Sequence, residues 1–124
     1  MRAQLVAGTP HLLFVYGSLK RGAEHHSELS SARFVGEACT TSAYRLVHYG
    51  AYPAMTDGAR AVVGELYEVD EELLARLDAF EGCPTLYRRG RARLSDEREA
   101  IAYIIGAERA RGCDEISGGC WPER

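Results

Sequence analysis

The stretch that decides the fold is LLFVYGSLKRG, residues 12–22. Its first five residues are all apolar or aromatic, a run of strand length that ends at Gly17-Ser18. A strand with one face in water would alternate apolar and polar side chains. This run therefore predicts a strand that is buried on both faces.

Further strands are predicted along the rest of the chain. Apolar or alternating segments of strand length lie at residues 34–39, 43–49, 61–69, 85–94 and 100–105. Gly50 and Pro53 mark a turn segment after the second of these. Residues 20–32 are polar and predict a loop with a short helix, whereas residues 1–11 and 107–124 are expected to be irregular.

One helix is predicted after the strand at residues 61–69. Asp70 is placed to cap it, and Glu71-Glu72 would lie at the positive end of the helix dipole. The apolar positions recur at helical spacing and form one stripe that the helix is expected to bury: Leu73, Leu74, Leu77 and Phe80. Gly82 and Pro84 end the helix. Five or six short strands with one helix predict an α+β domain, either a compact mixed sheet or a small barrel.

Composition narrows the class of protein. The chain has 124 residues, 46% hydrophobic and 27% charged, which predicts one domain spanning residues 1–124. Fifteen basic against eighteen acidic side chains give a net charge of −3, which argues against a nucleic-acid partner because nucleic-acid binders are normally basic. No segment reaches the ~20 apolar residues of a membrane span, and the N-terminus lacks a signal-peptide run. No membrane partner and a cytoplasmic location are therefore expected.

The cysteines do not form a recognisable metal motif. Successive cysteines are 44, 30 and 7 residues apart, at Cys39, Cys83, Cys113 and Cys120, and the histidines add no ligand pair at zinc-like spacing. Four unlinked thiols in a reducing compartment are the favoured interpretation, and a Cys113–Cys120 bridge is the alternative.

Two places are candidates for chemistry. The first is the loop from Tyr16 to Gly22, because Gly17 lets the backbone turn sharply and successive N–H groups in such a turn can bind an anion. The second is Glu81 at the end of the helix, where burial and the helix dipole both raise the pKa of a carboxyl group toward that of an acid/base catalyst. An ordinary strand-ending turn and an exposed glutamate are the alternatives.

Four motifs carry a family resemblance. They are FVYGSLKRG at residues 14–22, GAYPA at 50–54, VGELYEV at 63–69, and LDAFEG at 77–82 continuing to Tyr87-Arg88-Arg89. Together they resemble the γ-glutamylcyclotransferase-like superfamily, and most closely its γ-glutamylamine cyclotransferase (AIG2-like) branch. The resemblance runs from about residue 12 to residue 105. Each motif alone is weak, but the four in sequence are specific.

The resemblance implies a small mixed β-barrel of about five to six strands with flanking short helices. It implies an enzyme, formally a transferase or lyase, that cleaves a γ-glutamyl amide by cyclisation and releases 5-oxoproline and a free amine. Tyr16, Gly17, Ser18 and Leu19 match the family's substrate-binding loop, and Glu81 matches its catalytic acid/base. The implied partner is a small γ-glutamyl substrate, with no cofactor and no metal, and the chain is expected to be a monomer or homodimer. A non-catalytic small-molecule binding protein with the same cavity is the alternative.

Other polar residues have weaker assignments. Tyr87 follows the Pro84 break and is predicted either to donate a hydrogen bond in the cavity or to be a core aromatic. Glu65 is a second candidate carboxylate, with pairing to an arginine or exposure to solvent as the alternatives. The arginines of residues 88–93 are typical of a solvated strand face, although they could bind a substrate carboxylate. His25-His26 lies in a polar loop and does not make a metal site.

Overall fold

The apolar run after residue 11 forms a strand in the middle of one mixed sheet. The computed structural model describes residues 10–122. Within them the strands are β1 (His11–Val15), β2 (Arg33–Cys39), β3 (Tyr44–Tyr49), β4 (Tyr52–Asp57), β5 (Val63–Val69), β6 (Arg88–Arg93), β7 (Glu99–Ile104) and β8 (Glu115–Ile116). The helices are α1 (Glu71–Phe80), α2 (Ala107–Ala110) and a 3₁₀ turn at His26–Leu29.

The sheet order is β2-β5-β1-β7-β4-β3-β8, and β6 also pairs with β7. β1 is antiparallel to β5 and parallel to β7. β4 is also parallel to β7, but the two share a single register pair, Met55 opposite Ile104. The sheet curls into a half-barrel with few short helices, which confirms the α+β prediction of a mixed, barrel-like sheet.

Both faces of β1 are buried, as its sequence predicts. Phe14 and Tyr16 pack inside the curled sheet with a cluster that includes Leu46, Met55 and Leu66. The neighbouring residues point the other way and form a second cluster with the helix: Leu13, Val15, Leu73, Leu74 and Leu77. β1 therefore joins two cores, and the chain that leaves it must emerge between them.

The predicted helix is α1. The Asp70 side chain accepts a hydrogen bond from the Leu73 N–H (2.8 Å), which confirms the cap. Of the apolar stripe, the three leucines are buried but Phe80 is 39% exposed, so its assignment to the core was wrong. Phe80 occupies the last turn, where α1 borders a cavity instead of the sheet. No helix in the described part of the chain is long and apolar enough to span a membrane.

Two strands were missed by the sequence prediction. Residues 50–53 read as a turn, yet β4 begins at Tyr52 and pairs with β3 from Tyr49 opposite Tyr52. Proline is normally excluded from a strand interior because it has no N–H to donate. Here Pro53 lies opposite His48, whose N–H donates to Asp114 on the far side of β3. The backbone nitrogen of Pro53, which has no N–H, therefore faces away from β3. Pro53 costs the β3–β4 pair no hydrogen bond.

The tail also differs from its prediction as irregular chain. Residues 107–110 form α2, and β8 pairs with β3 through Ile116 opposite Leu46. A two-residue strand has no readable periodicity, although Ile116 is fully buried. Residues 1–9 lie outside the described part of the chain, and His11 already belongs to β1. All four cysteines are free and partly buried, so Cys113 and Cys120 form no bridge in this structure.

Candidate active site

The loop after β1 and the end of α1 border one cavity of about 380 Å³. Tyr16–Leu19 line it from the loop, and Phe80 with Glu81 line it from the helix. The other lining residues are Phe14, Val15, His25, Tyr52, Pro53, Leu86, Tyr87 and Tyr103. The sequence predicts that Leu19 and Glu81 converge although 62 residues separate them, and the structure confirms it.

Gly17 is required by the packing of the loop against β4. A methyl group on Gly17 would lie 2.9 Å from Cγ of Pro53, which is closer than real carbon contacts. Pro53 is itself buried and belongs to a paired strand, so it cannot easily move aside. The Gly17 carbonyl accepts a hydrogen bond from the Lys20 N–H (3.1 Å) and closes the turn.

Three successive amide groups of this loop donate to no partner in the described part of the chain. Among the hydrogen bonds formed within residues 10–122, none comes from the N–H of Gly17, Ser18 or Leu19. Successive free N–H groups in a turn make a concave site for anionic oxygen. The loop can therefore bind a carboxylate or an oxyanion without a charged side chain.

Two adjacent histidines hold this loop in position. His25 donates its N–H to the Ser18 carbonyl oxygen (2.8 Å), and its Nδ1 hydrogen-bonds to Ser18 Oγ (2.9 Å). His26 donates from Nδ1 to the Leu19 carbonyl oxygen (2.9 Å). The sequence argues only against a metal site at this pair. It does not reveal their positioning role, because a polar loop has no periodicity to show that it folds back on the residues before it.

The backbone fixes Glu81 at the junction of α1 and the cavity. The Glu81 N–H still donates to the Leu77 carbonyl oxygen (2.8 Å), as in a helix. The next residue, Gly82, has φ +70°, the left-handed conformation that commonly ends helices. A Cβ at Gly82 would be strained and would meet Leu86 at 3.0 Å. The helix and this glycine turn together direct residue 81 toward the cavity.

Burial makes the Glu81 carboxyl group unusual. Loss of solvent raises its pKa from 4.5 to about 7. Within residues 10–122 its carboxylate forms no hydrogen bond or ion pair that would offset the burial. A carboxyl group with a pKa near neutrality can both accept and return a proton at physiological pH.

Two of the four tyrosines that line the cavity, Tyr16 and Tyr87, are the ones predicted from sequence, and their hydroxyl groups are already engaged. The Tyr16 hydroxyl donates to the Tyr103 carbonyl oxygen (2.6 Å) and accepts from the Met55 N–H (3.0 Å). It therefore joins β7 to β4 where these strands diverge, and burial raises its pKa well above the usual value. The Tyr87 hydroxyl donates to the Pro53 carbonyl oxygen (2.9 Å). Tyr16 therefore lines the cavity with its aromatic ring, and its hydroxyl group is not available as a donor.

Glu65 is buried but lies away from this cavity. Its Oε1 accepts hydrogen bonds from the Arg21 N–H (3.0 Å) and the Tyr67 hydroxyl (2.9 Å). Its Oε2 lies 3.6 Å from Nε of Arg21, which matches the predicted alternative of pairing with an arginine. Glu65 also borders a second cavity of about 410 Å³ beside β5. Glu65 therefore holds Arg21 in place, shortly after the Tyr16–Leu19 loop.

The arginines of β6 do not line the cavity either. Arg89 forms a two-bond pair with Asp78 (2.9 and 2.8 Å). Arg91 and Arg93 lie within 3.5 Å of Glu99 on the neighbouring strand. The Arg91 and Arg93 pairs are cross-strand pairs on an exposed face, whereas Arg89 pairs with a residue of α1. This agrees with the solvated strand predicted from sequence.

Comparison with known proteins decides the family. A profile described as "Gamma-glutamyl cyclotransferase, AIG2-like" matches residues 13–123, which is nearly the whole chain. The chain belongs to this family. The match includes the loop after β1, the end of α1 and all the strands that enclose the cavity.

Individual members of the family agree with this assignment. The chain is 37% identical to the Homo sapiens protein named gamma-glutamylaminecyclotransferase, over 90% of this chain and 80% of that one. The Rattus norvegicus protein of the same name is 40% identical over 62% of this chain, a match that spans 58% of the rat protein. A solved AIG2-like protein from Mus musculus superposes with a TM-score of 0.70 at 33% identity, covering 77% of each chain.

The raised pKa of Glu81 predicts a pH-dependent stability difference for the Glu81→Gln variant. Between pH 4.5 and about 7 the folded chain keeps a proton that the unfolded chain releases, so stability falls as pH rises. Glutamine has no charge to bury. The variant is expected to match the parent below about pH 4.5 and to exceed it by about 1–3 kcal/mol near pH 8, allowing for solvent screening. Urea unfolding at both pH values measures this, and equal stabilities near pH 8 would contradict it.

Proposed function

We propose that this chain is a γ-glutamyl cyclotransferase that acts on a γ-glutamyl amide. The substrate's α-amine nitrogen attacks its own γ-carbonyl carbon. A C–N bond to the α-nitrogen forms, the C–N bond to the leaving amine breaks, and the products are 5-oxoproline and a free amine. The observation that carries the proposal is a carboxyl group with a pKa of about 7 in the same cavity as three free backbone donors.

Glu81 is assigned the proton transfers. Its carboxylate accepts a proton from the substrate ammonium, which frees the lone pair for attack. The same group then returns that proton to the leaving nitrogen, which departs as a neutral amine. The second proton that the attacking nitrogen loses as it becomes the lactam N–H passes to solvent. A general acid/base placed in this way typically contributes about 10²–10⁴-fold in rate.

The loop is assigned to binding and charge stabilisation. The N–H groups of Gly17, Ser18 and Leu19 can hold anionic oxygen of the γ-glutamyl unit, since no lysine or arginine among residues 10–122 lines the cavity. One such donor aimed at a developing oxyanion is worth about 2.7–4 kcal/mol in comparable sites. Tyr16 and Tyr87 supply ring walls, and Tyr87 steadies Pro53 behind the loop.

The proposed reaction needs no nucleophilic side chain, because substrate and nucleophile are one molecule. Intramolecular attack in a well-oriented complex reaches effective molarities of about 10⁵–10⁸ M. The protein's part is to fold the γ-glutamyl unit back on itself and to move one proton. This matches a cavity that contains one carboxylate, free amides and aromatic walls.

A panel assay tests the proposal directly. Purified protein is incubated with γ-glutamyl amines and γ-glutamyl dipeptides, and 5-oxoproline and released amine are measured together by mass spectrometry. Stoichiometric 5-oxoproline and amine are expected. Free glutamate in place of 5-oxoproline would indicate hydrolysis and contradict the mechanism. Saturable binding without either product would favour the non-catalytic binding protein.

The pH dependence of kcat/KM should show the Glu81 titration. The base form of Glu81 starts the reaction, so kcat/KM is expected to fall tenfold per pH unit below about 7. This fall in kcat/KM at low pH should be absent from the residual activity of the Glu81→Gln variant. Initial rates of amine release across about pH 5–9 measure both profiles. A parent profile that stays flat down to pH 5 would exclude Glu81 as the base.

A further inference from the structure

We propose a second activity for this cavity, the hydrolysis of small uncharged carboxylic esters through an acyl intermediate on Ser18. Ser18 supplies the nucleophile, His25 the base, and Glu24 the group that orients the base. This activity goes beyond the proposed cyclisation and does not depend on it. An ester whose acyl part carries no amine cannot cyclise, so its nucleophile must come from the protein or from water.

Ser18 and His25 are joined by two hydrogen bonds. The Ser18 Oγ lies 2.9 Å from His25 Nδ1, the separation of a serine nucleophile and its base. The His25 backbone N–H donates to the Ser18 carbonyl oxygen (2.8 Å), so the ring cannot leave the hydroxyl group without opening the loop. Both residues line the cavity. The pair is therefore held together by the backbone on a wall that a ligand would touch.

The other ring nitrogen of His25 faces a carboxylate. Glu24 Oε2 lies 3.5 Å from His25 Nε2. Glu24 is itself held, because its Oε1 accepts a hydrogen bond from the Tyr52 hydroxyl (3.0 Å). A carboxylate beside Nε2 favours the tautomer with its proton on Nε2, which leaves the lone pair of Nδ1 to accept the Ser18 proton. Serine, imidazole and carboxylate thus stand in the order of a Ser–His–acid triad, with the two ring nitrogens exchanged.

The surroundings of the pair are arranged for acyl chemistry. The His25 ring lies 5.1 Å from the Phe80 ring, edge to face, and 5.3 Å from the Tyr52 ring, so aromatic contacts hold its plane. Within residues 10–122 the N–H groups of residues 17–19 donate to no partner, and one of them belongs to Ser18 itself. An oxyanion hole is commonly made from the N–H of the nucleophile and that of a neighbour.

The lining favours an uncharged acyl group. No lysine or arginine among residues 10–122 lines the cavity. The backbone donors of the loop are taken by the oxyanion during the ester reaction. A second negative charge on the acyl part would lose its hydration without gaining a partner. The substrate class is therefore small neutral esters.

The reaction takes two steps. Ser18 Oγ attacks the ester carbonyl carbon as its proton moves to His25 Nδ1. The bond from that carbon to the alkoxy oxygen breaks, and the proton passes to the departing alcohol. Water then attacks the carbonyl carbon of acyl-Ser18 and gives a proton to His25. The bond from Ser18 Oγ to carbon breaks, and the proton returns to Ser18. One ester and one water give one carboxylic acid and one alcohol.

Covalent labelling tests the nucleophile without relying on turnover. The protein is treated with a small alkyl fluorophosphonate, which loses fluoride as a serine oxygen bonds to phosphorus, and the adduct is located by peptide mass spectrometry. We expect a single phosphonyl group on Ser18. p-Nitrophenyl acetate serves as the ester, and an acetyl group on Ser18 is expected during its hydrolysis. No label on Ser18 from either reagent would overturn the proposal, and this readout needs only the parent protein.

Two variants assign the roles by turnover. Ser18→Ala and His25→Asn are each expected to lower kcat/KM for p-nitrophenyl acetate by at least about 10²-fold. Ser27→Ala is the matched control, because Ser27 is an exposed serine of the neighbouring 3₁₀ turn that lies outside the cavity lining, and it should keep the parent rate. Equal rates for the parent and Ser18→Ala would overturn the proposal. Loss of ester hydrolysis in Glu81→Gln with retention in Ser18→Ala would assign the ester reaction to Glu81 and overturn it as well.

Glu24→Gln separates orientation of the base from a structural role. The Glu24 side chain is 65% exposed, so its effect should be that of an exposed charge pair. We expect phosphonylation of Ser18 to slow about two- to fivefold. Salt screens exposed charges, so the parent and the variant should converge at about 1 M salt, whereas a structural defect would persist. Equal labelling rates at low salt would overturn the assignment of Glu24.

Discussion

Glu81→Gln is expected to lower the turnover of a γ-glutamyl amide by about 10²–10⁴-fold. Glutamine keeps the size of the side chain but cannot accept the ammonium proton or return one to the leaving amine. Substrate recognition is assigned to the backbone of the Tyr16–Leu19 loop, so binding should persist. Single-turnover amine release measures the loss, and calorimetry with the unreactive variant measures the affinity.

Glu65→Gln is the matched control for this experiment. It makes the same chemical change at Glu65, which is buried, and keeps an oxygen that can accept from the Arg21 N–H. Its effect on turnover should be far smaller, because Glu65 has no step in the reaction. Parent-level 5-oxoproline formation by Glu81→Gln would remove the proton-transfer role.

Tyr16→Phe is expected to destabilise the fold by about 2–4 kcal/mol, because it leaves two buried backbone groups without partners. The Tyr16 hydroxyl is bonded both to the Tyr103 carbonyl oxygen and to the Met55 N–H, and the side chain is 6% exposed. β4 and β7 share only one register pair beside this hydroxyl. Chemical unfolding of the variant measures the loss, and the cavity should also widen on the β4 side.

The control for this change is Tyr44→Phe. The Tyr44 hydroxyl accepts from the Arg93 N–H (2.9 Å) at an exposed position, where water can take its place. A loss below about 1 kcal/mol is expected there. If Tyr16→Phe proved equally mild but abolished substrate binding, the hydroxyl would have to be reassigned from the sheet to the substrate.

The sequence predicted the elements whose own pattern shows their environment. The unbroken run of β1 required cover on two faces, and the spacing of Leu73, Leu74 and Leu77 after the Asp70 cap fixed α1. β4 was missed because proline usually ends a strand. Pro53 is acceptable here because the backbone N–H of His48, opposite it on β3, points away from β4 and donates to Asp114. That information lies in the pairing of two strands rather than in either one.

The candidate site divides in the same way. The Tyr16–Leu19 loop and Glu81 lie next to glycines that end a strand and a helix, which are visible in the sequence. The family resemblance assigned both to one site. His25, Tyr52 and Leu86 come from loops and a strand end whose neighbours are set by the tertiary fold. Phe80 was misplaced because helical spacing gives the direction of a side chain but not what lies there. A helix that extends past its sheet presents its last apolar residue to a cavity.

The left-handed turn at Gly82 has a consequence for how this protein can vary. The backbone at residue 82 has φ +70°, and any Cβ there would crowd Leu86. A bulkier residue at position 82 would relax the turn and swing the carboxyl group of residue 81 away from the loop. In a library randomised at both positions, selection for cyclisation should return the Glu-Gly pair as one unit. Neither position is expected to tolerate change on its own, although only one of them carries the chemistry.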